Sequence, residues 1–203
     1  MSNDLARLAW RARYVHAARL ASDLRKIAIR ATHRHCRVEF QGPVRLGPGF
    51  HLVIPDNGSF IVGPGVEFRR GFVCEISANG RVSIGEGSVF TRDALIQCTT
   101  SIDIGERCVF GQALMIVDGN HRFRDLHRPM AAQGYDYRPI HIADDVFVTS
   151  KCTIVADIGE RSVIGANSAV TRPIPAFCVA AGVPARVIEY FGPAELRPPE
   201  LDV

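Results

Sequence analysis

The stretch IVDGNHRF, residues 116–123, places Asp118 and His121 three positions apart in a chain that otherwise repeats short apolar steps. An imidazole can take a proton from a hydroxyl near neutral pH, and a carboxylate or a backbone carbonyl can orient its ring. These residue types therefore suit acid–base chemistry. Taken alone, however, a histidine in a polar loop is more often solvated than catalytic, and Asp-Gly-Asn is also an ordinary turn signature.

The cysteines show no spacing that is typical of a metal site or a redox motif. They form no Cys-x-x-Cys pair and no Cys/His cluster, so we expect reduced and mostly buried thiols. The six are Cys36, Cys74, Cys98, Cys108, Cys152 and Cys178. Because reduced thiols fit a reducing compartment, we expect a cytoplasmic protein.

The composition is that of one globular domain, with 203 residues, 47% apolar and 22% charged. The N-terminal apolar positions are interrupted by Arg7, Arg11, Arg13 and Arg19, so we expect neither a membrane span nor a signal peptide. The net charge of +3 is uneven, because residues 1–40 carry nine Arg or Lys against three acidic residues. We expect no nucleic-acid partner.

Residues 3–31 contain no Pro or Gly and place apolar residues at three- and four-residue intervals. This spacing predicts one or two amphipathic helices, and we assign residues 1–42 to an N-terminal helical segment. Two interpretations of this basic segment stay open. It packs on the domain or on a neighbouring subunit with its arginines in water, or it contacts an anionic membrane surface or a lipid-linked substrate.

From about residue 44, Gly, Pro and β-branched residues dominate, and apolar residues recur at every sixth position. Each series starts at an Ile or Val that is followed by Gly or Ala. The series are Val62, Phe68, Cys74; Ile84, Phe90, Ile96; Ile104, Phe110, Ile116; Ile142, Val148, Ile154; and Ile158, Ile164, Val170. This step is typical of a chain that coils around a triangular prism, with one inward side chain on each face.

The series begin 22, 20, 38 and 16 residues apart. The interval of 38 exceeds a coil of about eighteen residues by about twenty, and the excess starts at IVDGNHRF. We therefore predict a loop extruded over residues 118–139 from a domain of residues 43–191, followed by a tail of residues 192–203. Loops that leave a rigid solenoid commonly carry binding or chemistry.

Three segments match a known family in the correct order: IDIGERCVFGQALMIVDGNH, PIHIADDVFVTSKCTIVADIGERSVIGANSAVTRPIP and VAAGVPARVI. They resemble the hexapeptide-repeat acyltransferases, which include galactoside, maltose and polysaccharide O-acetyltransferases. The resemblance covers about residues 44–191. It implies a mainly β fold, the left-handed parallel β-helix, and a homotrimer with active sites between adjacent subunits.

The resemblance also implies roles for individual residues. A histidine at the start of the extruded loop acts as general base in this family, and His121 matches it. An acyl-coenzyme A, such as acetyl-CoA, is the co-substrate, and no metal is required. The matching co-substrate positions are Ser150, Ala166 and Thr171 for the pantetheine arm and Arg172 and Arg186 for the nucleotide phosphates, where charged hydrogen bonds are strongest.

The implied reaction is direct acyl transfer to a hydroxyl of a sugar or glycoconjugate, with a backbone N–H near Ser150 stabilising the oxyanion. Polar loop side chains either grip the acceptor or line the subunit interface; they are Arg122, Arg124, Arg128, Tyr135 and Tyr137. Three alternatives stay open. They are transfer to an amine, a zinc carbonic anhydrase on the same fold, which needs converging histidines, and a scaffold without catalysis.

The chain departs from the family pattern at three places. Thr91 stands where sugar acetyltransferases have an Asn that contacts the acyl region. The segment 147–149, Phe-Val-Thr, replaces a common Trp-Ile-Gly. Two residues are missing between Ile154 and Ile158, which predicts a shortened turn.

Overall fold

The structure, a computed structural model, describes residues 2–199. Helix α1 spans Ser2–Arg11 and helix α2 spans Ala17–Thr32, joined by a π-helical segment, Ala12–His16. The helices predicted for residues 3–31 are thus present. Within residues 2–199, no helix combines the length and the apolar character that a bilayer span requires.

Residues 2–199 contain 21 strands. Eighteen of them form the parallel parts of three sheets in a prism, two form a side hairpin, and the last reverses at the C-terminal end. Sheet 1 contains β1 (Arg37–Phe40), β4 (Ser59–Val62), β7 (Arg81–Ile84), β10 (Ser101–Ile104) and β15 (Ile140–Ile142). Sheet 2 contains β2 (Arg45–Leu46), β5 (Glu67–Phe68), β8 (Val89–Phe90), β11 (Val109–Phe110), β16 (Phe147–Val148), β18 (Val163–Ile164), β20 (Cys178–Gly182) and β21 (Ala185–Tyr190). Sheet 3 contains β3 (His51–Val53), β6 (Val73–Ile76), β9 (Leu95–Cys98), β12 (Met115–Val117), β17 (Thr153–Ile154) and β19 (Ala169–Val170).

Each sheet takes every third strand along the early coils, as a chain winding round a prism requires. Pairing within the three sheets is parallel up to the last pair, β20 with β21, which is antiparallel like the side hairpin. All fifteen positions of the predicted six-residue series are buried. The hexads therefore supply the core, as predicted from the sequence.

Aromatic rings stack along the interior of sheet 2. The ring of Phe90 lies parallel to that of Phe68, with centroids 5.3 Å apart, and to that of Phe110, at 4.5 Å. These rings occupy equivalent positions in successive coils because β5, β8 and β11 pair in register. The column makes the coils stack at a fixed spacing, which gives the loop a rigid base.

The β-helix begins earlier than predicted. Strand β1 starts at Arg37, inside the segment assigned to the N-terminal helices, and pairs in parallel with β4. Phe40, Leu46 and Leu52 are buried at six-residue steps and form the first coil. The sequence rule missed this coil because Phe40 is followed by Gln41 rather than by a small residue.

The last coils are shorter, as the missing residues predict. Ile158 makes single parallel bridges with Ile142 and Ile174 instead of forming a strand of sheet 1. Strand β21 then reverses against β20 and closes the C-terminal end of sheet 2. In the predicted tail, a 3₁₀ turn spans Ala194–Leu196, and residues 200–203 lie outside the described part.

The cysteine prediction agrees with the described structure. All six thiols are free, five are buried and Cys36 is half-buried. Burial raises the pKa of Cys108 to about 11. Burial, with the carboxylate of Asp118 nearby, raises the pKa of Cys98 to about 12.

Helix α2 packs against the first strand of sheet 2 through its polar side. The backbone N–H of Leu46 donates to Ser22 Oγ at 2.9 Å, and Arg25 donates to the carbonyl of Leu46 at 2.9 Å. Because β2 is the terminal strand of sheet 2, these groups of Leu46 have no neighbouring strand to bond. The helix therefore caps the N-terminal end of the prism.

Candidate active site

The extruded loop occupies the predicted interval, because β12 ends at Val117 and β15 begins at Ile140. It folds as an antiparallel hairpin of β13 (Gly119–His121) and β14 (Tyr135–Tyr137), with a 3₁₀ turn at Met130–Ala132. The Asp-Gly-Asn sequence thus opens a strand rather than a turn. Gly119 is required there, since an added Cβ would lie 2.8 Å from the ring of Tyr137.

Asp118 fixes the base of the loop. The residue is 4% exposed, and its carboxylate accepts from the backbone N–H of Thr99 at 2.8 Å and from the hydroxyl of Thr100 at 2.8 Å. The backbone N–H of Arg138 donates to its carbonyl at 2.8 Å, which ties the two ends of the loop together. The carboxylate that the sequence offered for orienting His121 is therefore engaged with the preceding coil. Asp118 positions the loop instead.

His121 lies at the end of β13, directly opposite Tyr135 of β14. Its imidazole is exposed and leans on the ring of Tyr135, with centroids 4.2 Å apart and planes at 43°. Tyr135 in turn stacks on Tyr137 at 5.6 Å and 14°. The hairpin thus holds the imidazole of His121 against a row of two tyrosine rings. The imidazole stays exposed to solvent, where a substrate can reach it.

His121 borders two clefts. The first has a volume of about 450 Å³ and is enclosed by the loop itself, with Arg124, Arg128 and Gln133 in its wall. Gln133 braces this cleft, accepting from the backbone N–H of Asp125 at 3.0 Å and donating to the carbonyls of Asp125 and Arg128 at 2.9 Å. The amide of Gln133 therefore holds the cleft in shape. Three arginines line the cleft against two carboxylates, those of Asp125 and Asp136, so its net charge is positive.

All three arginines that were predicted to grip the acceptor in the first cleft have partners, and Arg128 donates to the carbonyl of Ala132. Arg122 pairs with Asp136 at 2.6 Å, so its charge is largely neutralised. The guanidinium of Arg124 lies 5.0 Å from the centroid of the Phe123 ring. Arg124 and Arg128 thus contribute most of the positive charge of this cleft.

The second cleft, about 470 Å³, lies between the hairpin and sheet 3. Its walls combine the rings of Tyr135 and Tyr137 with polar side chains that point outward from sheet 3. Gln97 donates to the carboxylate of Glu75 at 2.8 Å on that wall. Aromatic faces beside amide and carboxylate groups can hold a polar ring compound.

Ser150 and Ala166 are brought together at the corner between sheets 2 and 3. They follow β16 and β18, which pair in register, and the backbone N–H of Asn167 donates to the Ser150 carbonyl at 3.0 Å. Strand β20 continues the same register and places Gly182 in this column. The corner therefore presents small side chains and accessible backbone along three coils.

Arg186 lies at the C-terminal end of this column. It sits on β21 opposite Ala181, beside Gly182, and its guanidinium is exposed except for one bond to the Ala185 carbonyl at 3.0 Å. A row of small residues that ends at an arginine suits a long, narrow ligand with an anionic end. Three of the five predicted co-substrate residues therefore share one corner.

Thr171 and Arg172 lie elsewhere. They follow β19 and occupy the next corner, where the chain passes from sheet 3 to sheet 1. The hairpin that carries His121 leaves the prism at this same corner, after β12 of sheet 3. Within one chain, the predicted co-substrate residues therefore lie at two different corners, one on each side of sheet 3.

Thr91 lies at the corner between sheets 2 and 3, one position before the column of Ser150, because β8, β11 and β16 pair in register and align Thr91 with Thr149. Its hydroxyl is buried and has no hydrogen-bond partner within residues 2–199. The equivalent hydroxyl of Thr149 donates to the Ile164 carbonyl at 2.7 Å. The Thr91 hydroxyl therefore keeps its bonding capacity at the position that the resemblance links to the acyl region.

Sequence reasoning missed two features of the site. The bonds from Asp118 to Thr99 and Thr100 join residues far apart in the chain, so no local motif indicates them. The contact of His121 with Tyr135 follows from hairpin pairing, which the polar loop sequence does not signal. Among the described residues, no group of three His, Cys, Asp or Glu side chains is placed to hold a metal ion.

No protein-family model matches the chain. Among curated proteins, it is 32% identical over 115 residues to the galactoside O-acetyltransferase of Escherichia coli, with 55% of each chain covered. It is 30% identical over 112 residues to a Mycobacterium tuberculosis protein named as an acetyltransferase, covering 54% of this chain and 37% of that one. The chain thus spans about half or less of the length of these two relatives.

A third relative is matched along most of its length. It is an Escherichia coli protein, WbbJ, assigned to lipopolysaccharide biosynthesis as an O-acetyl transferase, and it is 29% identical over 184 residues. The match covers 85% of this chain and 87% of that protein.

The fold also has solved counterparts. A hexapeptide-repeat acetyltransferase of Vibrio cholerae, complexed with acetyl-CoA, superposes with a TM-score of 0.57 at 21% identity, covering 89% of this chain and 90% of that one. A galactoside acetyltransferase complexed with coenzyme A gives a TM-score of 0.55 at 24% identity, covering 83% and 70%. The chain therefore has the left-handed β-helix fold of the hexapeptide-repeat acetyltransferases and resembles acetyltransferases of this kind in sequence.

Proposed function

We propose that the protein transfers an acyl group, acetyl in the first instance, from acyl-coenzyme A to a hydroxyl of a sugar or glycoconjugate. The observation that carries this proposal is the placement of His121, an exposed imidazole held at the junction of two clefts by the hairpin that leaves the prism. The acetyltransferase relatives support the same reaction class.

The co-substrate would supply the acyl group as a thioester. The column of Ser150, Ala166 and Gly182 fits its narrow pantetheine arm, because small side chains leave the backbone open to contact. Arg186, at the end of that column, fits its phosphates through charged hydrogen bonds. Thr171 and Arg172 would reach the same ligand from the next corner.

His121 would act as general base. Its exposed imidazole would take the proton from the acceptor hydroxyl as the hydroxyl oxygen attacks the acyl carbon. A backbone N–H near Ser150 would stabilise the negative charge on the carbonyl oxygen. The imidazolium would then return the proton to the departing sulfur, which restores His121 and leaves no acyl-enzyme.

We propose further that the protein works as a homotrimer in the cytoplasm. The division of co-substrate residues between two corners of one chain supports an assembly, since a neighbouring subunit could bring one chain's corner toward another's. Five buried, free thiols suit a reducing compartment. Sedimentation velocity would test the assembly, and a monomer at assay concentrations would contradict it.

A thiol-release assay with acetyl-CoA and a panel of neutral, acidic and amino sugars tests the reaction. Release of coenzyme A that depends on one sugar, with a gain of one acetyl group in its mass, is the expected result. Base lability of the product distinguishes an ester from an amide. Turnover restricted to amino sugars with amide products would replace O-transfer by N-transfer, and no acceptor-dependent release would contradict acyl transfer.

A further inference from the structure

Helix α2 is oriented with its apolar face outward. Leu20, Leu24 and Ile27, spaced so that they share one face of a helix, are 63%, 58% and 63% exposed. Alanines extend the same face toward both ends of the helix and are also exposed; they are Ala17, Ala28 and Ala31. The outward face, defined by these six residues, carries no charged side chain.

Polar contacts prevent this face from turning inward. Ser22 is 2% exposed and is bonded to the backbone of Leu46, as is Arg25. The side chain of Lys26 is 16% exposed and pairs with Asp23 at 2.7 Å. An amphipathic helix normally buries its apolar side. Here the inward side makes these polar contacts, with Ile29 packed on the core beside them, while Leu20, Leu24 and Ile27 point away from the chain. That outward face is therefore open to a partner outside the chain.

The charges around the outward face identify the kind of partner. Arg19 is exposed on its flank, as is Arg30, whose guanidinium also lies 5.5 Å from the centroid of the Phe40 ring. Residues 1–40 carry a net charge of +6. A second copy that covered this face with its own residues 1–40 would bring two such basic segments together, at a cost in repulsion. A bilayer with anionic headgroups would instead attract the arginines and accept the leucines.

Helix α1 also carries exposed apolar side chains, on two different sides of the helix. Leu8 and Trp10 on it are 63% and 58% exposed. Tryptophan suits the boundary between headgroups and acyl chains, because its ring is apolar and its N–H is polar. A helix that lies on the membrane surface can place such a ring at this boundary.

We propose that the outward face of α2 is a membrane-docking surface for anionic phospholipids. The proposal is independent of acyl transfer, because it uses no residue of the two clefts or of the co-substrate corner. The leucines and isoleucine enter the headgroup layer, and the arginines contact phosphates. Docking would hold the β-helix against the bilayer by its N-terminal end.

Flotation of the full chain with phosphatidylcholine vesicles, with and without phosphatidylglycerol, tests the proposal. We expect binding only when phosphatidylglycerol is present, and weaker binding as salt is raised. The variant Leu20→Ser/Leu24→Ser/Ile27→Ser should bind at least about tenfold more weakly. Its fold should persist, because the substituted side chains face water; circular dichroism and gel filtration check this.

The control is Leu196→Ser, which removes a similarly exposed leucine, 59% exposed, at the opposite end of the chain. It should bind vesicles like the unmodified protein. Equal binding of the triple variant, or no binding of the unmodified protein to anionic vesicles, would overturn the proposal. So would a triple variant that stays folded but loses its oligomeric state, since the face would then be covered by a second copy.

Discussion

The ring of His121 rests against the ring of Tyr135, with their centroids 4.2 Å apart. The two residues are direct partners across the hairpin, so the backbone pairing fixes which aromatic ring meets the imidazole. This contact limits the rotation of the imidazole while leaving it exposed. The proposed general base is therefore positioned by an aromatic neighbour rather than by the aspartate at the base of the loop.

Replacing Tyr135 with Ala should lower kcat for acetyl transfer about 5- to 20-fold, because the imidazole loses the surface that orients it. Tyr135→Phe keeps the ring and should restore most of the activity. Steady-state kinetics with both variants measure this difference. A loss confined to KM, or an equal loss in both variants, would assign Tyr135 to binding through its hydroxyl.

Replacing His121 with Ala should reduce turnover by about 10²- to 10⁴-fold, the usual contribution of a general base. His127→Ala is the matched control, because His127 is an exposed histidine of the same loop that lines neither described cleft. The control should retain full activity in the thiol-release assay. Unchanged turnover of His121→Ala would remove this residue from the mechanism.

Replacing Asp118 with Asn should lower the free energy of unfolding by about 2–4 kcal/mol, since a buried carboxylate loses its charged hydrogen bonds and the amide group brings an N–H toward other donors. Denaturant titration measures this loss. The control, Asp136→Asn, alters a carboxylate that pairs with Arg122 at the surface and should change stability by less than about 1 kcal/mol. Equal effects of the two substitutions would contradict an anchoring role for Asp118.

Replacing Arg186 with Ala should raise KM for acetyl-CoA about 5- to 30-fold with little change in kcat, because the lost contact is to the phosphates and not to the reacting atoms. Arg45→Ala, an exposed arginine of the first coil, should leave both constants unchanged. A fall in kcat without a rise in KM would place Arg186 outside the phosphate site.

The buried thiols should respond to pH in a defined direction. Burial raises the pKa of Cys108 from 9.0 to about 11 and, with Asp118 nearby, that of Cys98 from 9.0 to about 12. Because the folded state holds these protons more tightly than the unfolded chain, their contribution to stability is complete below pH 9 and is lost as pH rises from 9 toward 12.

An aromatic disulfide reagent at about pH 8 provides the direct readout, since only the thiolate reacts. Cys36, which is half-buried, should react first, and the five buried thiols should react only after unfolding. Rapid reaction of Cys98 in the folded protein would show that its burial is incomplete.

The six-residue spacing was sufficient to predict the core and the bounds of the loop. Each inward residue from Val62 to Val170 could be predicted from the six-residue step alone, without knowledge of other parts of the chain. The first coil was not predicted, because Phe40 is not followed by the small residue that follows the first member of each other series. The burial of Asp118 was not predicted either. Its partners Thr99 and Thr100 belong to the preceding coil, so no neighbouring residue in the sequence indicates the contact.

The site was predictable only as far as sequence motifs reach. His121, Ser150 and Ala166 carry motifs, and the structure places them on the hairpin and on one corner. Which corner receives Thr171 and Arg172 depends on how many residues each turn contains, a property of the whole coil. The sequence also could not predict which face of α2 packs on the prism. The three- and four-residue spacing of its apolar residues is the same whichever face packs.

The bonds that join Ser22 and Arg25 to Leu46 have a consequence for how the protein behaves at high concentration. The terminal strand of a parallel sheet offers a row of unsatisfied amides and carbonyls, onto which another polypeptide could add and begin a fibre. By occupying both backbone groups of Leu46, the helix blocks elongation of sheet 2 at this end. The N-terminal segment thus prevents another polypeptide from adding a strand to this edge of sheet 2.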